Sequence, residues 1–209
     1  MQEMKLNKST GNNQAGFTII ELVVVILLLG ILTATALPRF IDVTDEAHAA
    51  VVEGVASGLQ TGAALYRAAW FAAGQPATAP SQFGDGTLIP DITSGYPVGV
   101  AANIATANTL EDENTCLDVF NGLLQSGRPS AAAVAYNATA ATLEANIEAA
   151  SADFVVTADA ALNPTGCNFY YTGQYASGDS TNPQTIPLIT YTVSTGVVDD
   201  SGTLTLNQD

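Results

Sequence analysis

The chain has 209 residues, which is enough for one ordinary domain and an appendage. Apolar residues make up 47% and charged residues 12%, a composition typical of a folded chain with loops rather than of a disordered one. The formal net charge is -15, with 5 Lys and Arg residues against 20 Asp and Glu residues. Such a surface repels phosphate backbones, so the composition argues against nucleic-acid binding by the single chain.

An apolar run at residues 17–37 dominates the N-terminal region. Its length matches that of a bilayer-spanning helix. Lys5 and Lys8 precede the run and acidic residues follow it, so the positive-inside rule predicts a cytoplasmic N-terminus and an exported remainder. The run contains one charged residue, Glu21, and a charge within a span predicts a functional role. The alternative is that Glu21 snorkels to the nearby membrane interface.

A cleaved secretory signal peptide is the main alternative to a retained span. Ala34, Thr35 and Ala36 resemble the small-residue site at which such peptides are cut. The apolar run is longer than the usual signal core of about 7–15 residues. A glutamate inside the run is also unexpected in a disposable signal, so the pattern favours a segment that the mature protein keeps.

The residues around the start of the run form a recognisable motif, Gly16-Phe17-Thr18-Ile19-Ile20-Glu21. It resembles the prepilin cleavage and methylation motif of type IV pilins and type II secretion pseudopilins. The resemblance implies that a prepilin peptidase removes the leader 1–16 by cutting between Gly16 and Phe17, after which Phe17 is N-methylated. It also implies that Glu21 serves filament assembly.

The resemblance extends further along the chain. Gly30 and Pro38 stand where many pilins carry helix-breaking residues. The segment from Pro38 to Asp42, Trp70 and the segment from Gly74 to Pro76 are similar to pilins of the mannose-sensitive haemagglutinin type. The implied partners are other copies of the chain or other pilins, the prepilin peptidase and the inner-membrane assembly machinery.

A second helical region, residues 38–73, follows the apolar run. Apolar residues recur there at helical spacing, which predicts an amphipathic continuation of the first helix lying on a domain. The predicted stripe consists of Phe40, Val43, Ala47, Val51, Val55, Leu59, Leu65 and Ala69. Gly74 and Pro76 predict that the helix stops near Ala73.

The remainder, residues 74–209, is predicted to be an α+β head. Residues 74–110 are rich in Gly, Pro, Asn, Ser and Thr and indicate a long surface connection. Helices are expected at residues 111–124 and within 130–150. Strand patterns lie at residues 154–157, 168–172, 188–193, 197–198 and 203–206. We expect an antiparallel sheet laid across the C-terminal half of the long helix.

Two cysteines, Cys116 and Cys167, indicate one disulfide in an exported protein, with two buried free thiols as the alternative. The single His48 cannot build a zinc site. An acidic group around Glu111 and Asp118 lacks EF-hand spacing and is better explained as a solvated face. No cofactor is expected.

Two features of the head were weighed as glycan sites. Asn137, Ala138 and Thr139 form a glycosylation sequon, a pattern that is common by chance. Four tyrosines could line a sugar-binding face, although strand tyrosines more often pack in the sheet. They are Tyr170, Tyr171, Tyr175 and Tyr191.

The sequence therefore predicts a structural subunit of a type IV pilus-like filament that serves surface attachment. The alternatives are a type II secretion pseudopilin and a minor pilin or adhesin with a sugar-binding head. No catalytic constellation is apparent, so an enzyme is disfavoured. We expect an inner-membrane precursor that becomes part of an extracellular fimbrium, with surface glycans as a candidate partner.

Overall fold

The computed structural model describes residues 16–102, 112–136, 140–158, 166–173 and 184–206. The leader residues 1–15, Glu111, the sequon 137–139 and Tyr175 lie outside these ranges. The described chain is a mixed α+β structure, in which a long N-terminal helix precedes two shorter helices and two sheets. This architecture confirms the predicted fold class.

Three helices and seven strands are described. In chain order they are α1 (Ile19–Ala72), β1 (Leu88–Pro90), β2 (Pro97–Val100), α2 (Glu113–Leu123), β3 (Ala131–Ala133), α3 (Ala140–Ala149), β4 (Phe154–Ala158), β5 (Gly166–Tyr171), β6 (Gln184–Thr192) and β7 (Val197–Leu206).

The chain divides into two compact units after Asp45. In the described part of the first unit, all regular structure belongs to helix α1. The second unit, which we call the head, begins at Glu46 and contains the rest of α1 and every other described element.

The main sheet of the head has five strands in the order β3-β4-β5-β6-β7. Strands β4 to β7 pair antiparallel, as the sequence predicts. The two segments expected near Val197 and Leu206 form one strand, β7, whose pairing with β6 is irregular between Leu188 and Thr190. Strand β3 was expected to be part of an alanine-rich helix, but it pairs parallel to β4, and the helix α3 begins only at Ala140.

One face of the sheet packs on α1 and α2. Phe154, Val156 and Phe169 of the sheet are buried together with Leu59 of α1 and Phe120 of α2. Burying a side chain such as Leu59 completely is worth about 1.5–3 kcal/mol. This cluster is the main core, and it attaches the last part of α1 to the head.

The buried face of α1 differs from the predicted stripe. The buried positions are Val52, Val55, Ala56, Leu59, Ala63, Tyr66 and Trp70. Of the predicted stripe, Val55 and Leu59 are buried, whereas Val43, Ala47, Val51 and Leu65 are exposed. The two stripes share Val55 and Leu59 and differ towards the end of the helix, where the larger rings of Tyr66 and Trp70 enter the core instead of Leu65.

Residues 74–110 were expected to be a surface connection, and this prediction was wrong for the described part, 74–102, whereas residues 103–110 lie outside the described residues. Strands β1 and β2 pair antiparallel, and Phe83, Leu88 and Val98 are buried in the main core. Tyr66 Oη donates to the Leu88 carbonyl at 2.8 Å, and Trp70 Nε1 donates to the Pro76 carbonyl at 2.8 Å. The buried hydroxyl and indole groups of α1 thus find their partners in this segment.

The opposite face of the sheet is covered by α3. Leu143 and Ile147 pack with Val155, Tyr170 and Ile186 in a second buried cluster. Val155 lies between Phe154 and Val156 in β4, and successive residues of a strand point to opposite faces. The head therefore has three layers rather than the two that the sequence predicts.

Candidate processing and assembly site

The predicted cleavage motif leads directly into the first turn of α1. Thr18 Oγ1 accepts from the backbone N–H of Glu21 at 3.2 Å. In return, Glu21 Oε2 accepts from the backbone N–H of Thr18 at 3.0 Å and from its hydroxyl at 2.9 Å. This reciprocal pattern is a capping box, and it satisfies two N–H groups that a helix start leaves without partners.

The capping role of Thr18 was missed in the sequence analysis. The signal was present, because a threonine followed three residues later by a glutamate, just before an apolar run, is the sequence pattern of a capping box. Glu21 therefore has a local structural role in the single subunit, in addition to the assembly role that the family resemblance implies.

The apolar segment Ile19–Leu37 is long and apolar enough to cross a membrane. Its large side chains are exposed in the subunit, and Phe17 at the predicted cut has 91% of its surface accessible. Soluble monomers rarely expose continuous apolar patches larger than a few hundred Å². Exposed apolar surface of this extent marks a site of membrane or protein interaction.

Helix α1 continues through Gly30 and Pro38 without ending. Proline lacks the N–H group that would bond to the carbonyl four residues earlier, which weakens the helix at this point. Two threonine hydroxyls bond to nearby carbonyls of the same segment. Thr33 Oγ1 donates to Leu29 and Gly30, and Thr35 Oγ1 donates to Ile31 and Leu32, at 2.8–3.3 Å.

Cys116 and Cys167 form a disulfide that joins α2 to β5. Both residues are fully buried in the main core. The structure thus bears out the disulfide and not the alternative of two free thiols.

The remaining candidate sites have local structural roles. Asp112 caps α2 by accepting from the backbone N–H groups of Asn114 and Thr115, and Asp118 accepts from the N–H of Val100. Among the described residues, no group of three or more His, Cys, Asp or Glu is arranged to hold a metal. His48 Nδ1 lies 2.7 Å from Tyr171 Oη.

The tyrosines of the sheet do not form an exposed face. Tyr170, Tyr171 and Tyr191 are all buried, and Tyr191 Oη donates to the Pro97 carbonyl. Burial raises the pKa of Tyr191 well above its ordinary value of 10.0. These three rings are therefore core residues and offer no stacking surface for a sugar.

Comparison with known proteins finds a matching family model and curated relatives. Residues 11–37 match the family described as the prokaryotic N-terminal methylation motif. The chain is 48% identical over 50 residues to "Type IV narrow pilus major component PilA5" of Thermus thermophilus, a match that covers 24% of this chain and 43% of that protein. It is 46% identical over 50 residues to "Fimbrial protein" of Moraxella nonliquefaciens, covering 24% of this chain and 32% of the relative.

The matches span less than half the length of these curated relatives. No solved structure is significantly similar to the chain. Neither relative is named as a pilin of the mannose-sensitive haemagglutinin type, so that closer resemblance stays a prediction. The chain is thus an α+β protein that carries the N-terminal methylation motif and is similar, over 50 residues, to protein components of type IV pili and fimbriae.

Proposed function

We propose that this chain is the precursor of a structural subunit of a type IV pilus-like filament and has no enzymatic activity. The observation that carries the proposal is the exposed apolar helix Ile19–Leu37, which lies within the segment 11–37 that matches the methylation motif. A helix that is apolar on every side needs lipid before assembly and other helices afterwards. The two environments correspond to the precursor in the inner membrane and the subunit in the filament.

The processing step follows from the motif. A prepilin peptidase cuts between Gly16 and Phe17, and the new amine of Phe17 is methylated. The cut leaves both capping partners in the mature chain, because Thr18 and Glu21 lie downstream of it. The mature helix therefore begins with an exposed Phe17 and a cationic amine next to a capped first turn.

The assembly step brings the apolar helices of several copies together. Residues 17–37 form the filament core, and the head, which begins at Glu46, is displayed outside it. Glu21 pairs with the Phe17 amine of an incoming subunit, because both charges are costly in an apolar core unless they are paired. The displayed heads serve attachment to surfaces, with glycans among the candidate targets.

Mass spectrometry of sheared filaments tests this function. Cells producing the full chain together with its peptidase and assembly machinery should release filaments whose main component begins with methylated Phe17. The variant Gly16→Val is the control, since a bulky side chain at the cut should leave the leader attached and stop filament formation.

The possible outcomes separate the alternatives. A mature chain beginning at Leu37 would show cleavage by a signal peptidase and would contradict the proposal. A methylated chain confined to the periplasm would indicate a pseudopilin, and one found only at filament tips would indicate an adhesin. Either result would favour one of these alternatives over a structural subunit distributed along the filament.

A further inference from the structure

Arg67 of α1 is a cationic side chain that the head holds in a fixed position. Its Nε donates to the Ser94 carbonyl at 3.1 Å, and its Nη1 donates to Tyr96 Oη at 3.4 Å. The guanidinium carbon lies 4.9 Å from the centre of the Tyr96 ring and 5.3 Å from that of Phe71. Two rings and two hydrogen bonds therefore orient the guanidinium group.

The loop that holds Arg67 is itself well anchored. Ser94 N–H donates to Asp91 Oδ2 at 3.0 Å, and Ser94 Oγ donates to the Val193 carbonyl at 3.0 Å. Gly95 has φ +75, and a Cβ at this position would lie 2.2 Å from the Trp70 ring. The loop thus packs closely on α1. Binding of a partner to Arg67 would therefore cost little conformational entropy, because the guanidinium group is already held in place.

Arg67 forms no ion pair within the described part of the chain, although the protein is rich in carboxylates. A guanidinium group has five N–H donors, and the described contacts leave Nη2 without a partner. Two exposed apolar side chains accompany it: Phe71, with 51% of its surface accessible, and Ile92 of the same loop, with 57%. Arginine and aromatic side chains are enriched at the centres of protein interfaces.

The net negative charge of the chain indicates which kind of partner binds at Arg67. On the proposed processing, the leader takes Lys5, Lys8 and Glu3 with it, so three of the 5 basic and 19 of the 20 acidic residues remain. Copies of such a subunit repel one another wherever carboxylates face carboxylates. A contact between two heads is therefore favoured where one of them supplies a cation, and Arg67 is a cation that forms no ion pair among the residues that the structure describes.

We propose that Arg67, Phe71, Ile92 and Tyr96, together the Arg67 patch, bind an acidic surface of a second copy of this chain in the filament. The inference rests on the proposed function. It assigns to the head a contact that acts in addition to the packing of the N-terminal helices.

The test compares filament yield among variants of the full chain, counted by electron microscopy and normalised to subunit amount. Arg67→Gln should lower the yield at least about tenfold, because a carboxylate of the second copy would be buried at the contact without a cation. Arg67→Glu should abolish filament formation, because two negative charges would then face each other. Arg128→Gln is the matched control. Arg128 is an exposed arginine that lines a surface cavity together with Asp85, outside the patch, and its loss should leave the yield unchanged.

A second variant separates docking from folding, because Arg67 also supports its own loop. Ile92→Asp places a negative charge in the patch at an exposed position, and it should lower the yield while thermal unfolding of the purified protein stays as in the wild type. A photo-crosslinking residue at position 92 should join two copies of this chain. Normal filament numbers from Ile92→Asp, or crosslinks only to another protein, would overturn the inference.

The two proposals fail in different ways. Suppose that the wild type gives filaments with methylated Phe17 and that the patch variants give normal yields. This result would contradict the head contact and would still support the filament function. The absence of wild-type filaments under assembly conditions would overturn the filament function and this inference with it.

Discussion

Glu21 has two carboxylate oxygens and, on our proposal, two roles. Oε2 accepts both bonds from Thr18 within the subunit. Oε1 is then available for the Phe17 amine of another copy. Capping alone is worth about 0.5–2 kcal/mol, whereas loss of one partner from a buried ion pair costs on the order of 3–5 kcal/mol. The pairing role should therefore dominate when Glu21 is replaced.

The variant Glu21→Ala should be inserted and cleaved normally and yet give few or no filaments, because the amine of the incoming subunit stays unpaired. Electron microscopy together with N-terminal sequencing measures both steps. Thr18→Ala is the matched control, since it removes the capping hydroxyl and keeps the carboxylate. Normal filament numbers from Glu21→Ala would contradict the pairing, and an equal loss from Thr18→Ala would assign the effect to capping.

Two glycines of α1 allow a matched test of close packing. A Cβ at Gly62 would lie 2.9 Å from the Leu123 carbonyl oxygen at the end of α2, whereas a Cβ at Gly54 would have nothing within 4 Å. Gly62→Ala should therefore lower the free energy of unfolding of the head by about 1–3 kcal/mol. Gly54→Ala should raise it by up to about 1 kcal/mol, because alanine favours helix.

Urea denaturation of the two variants checks this pair. Both variants replace glycine by alanine in the same helix, so the gain in helix propensity is the same for both. It cancels when the two free energies of unfolding are compared. Equal stabilities for the two variants would show that α2 can move away from α1 without cost.

At the scale of elements, the disulfide links α2 to β5 across a sequence separation of 51 residues. In the chain-entropy account, closing a loop of this size stabilises the folded state by about 4 kcal/mol. The double variant Cys116→Ser, Cys167→Ser should lose about this amount, measured by denaturant unfolding. Protein purified from an oxidising compartment should show no free thiol, and detection of two would contradict the link.

Helix α1 is continuous from Gly30 to Pro38 in the subunit, and we predict that this stretch unwinds in the filament. Proline and glycine weaken the helix there, and neighbouring helices in a packed polymer can shelter loosened backbone groups. The Thr33 and Thr35 hydroxyls already bond to carbonyls of this stretch and offer them partners besides the helix N–H groups. A cryo-electron microscopy map with unbroken helical density through Ala34 would contradict the prediction.

At the scale of the whole molecule, the exposed apolar surface and the folded core lie in different parts of the chain. A fragment beginning at Ile41 lacks the apolar segment and keeps the complete head, which begins at Glu46. It should be soluble and monomeric, because the surface that requires lipid or other helices is gone. Sedimentation analysis of the fragment measures its state of association, and the full chain is the control. Equal aggregation of the fragment and the full chain would contradict the prediction.

Much of the architecture was predictable from local patterns. The apolar run, the start of the helix behind the methylation motif and its end near Gly74 depend on residues adjacent in sequence. Gly74 has φ +83, and the N–H of Gln75 bonds to the Trp70 carbonyl, as expected where a glycine ends a helix. Strands β4, β5 and β6 were predicted because β-branched and aromatic residues are concentrated there.

The tertiary structure decided the features that local patterns leave open. In the alanine-rich second half of α1, neighbouring apolar residues such as Leu65 and Tyr66 compete for the core, and only the shape of the head selects Tyr66. Strands β1 to β3 are three or four residues long and contain proline, glycine or alanine, so their strand propensity is weak and pairing stabilises them: β1 with β2, and β3 with β4. The sequence by itself determined where the apolar helix lies and how it begins, because those signals are local. The buried face of α1 and the layers of the head arise from contacts between residues far apart in the chain.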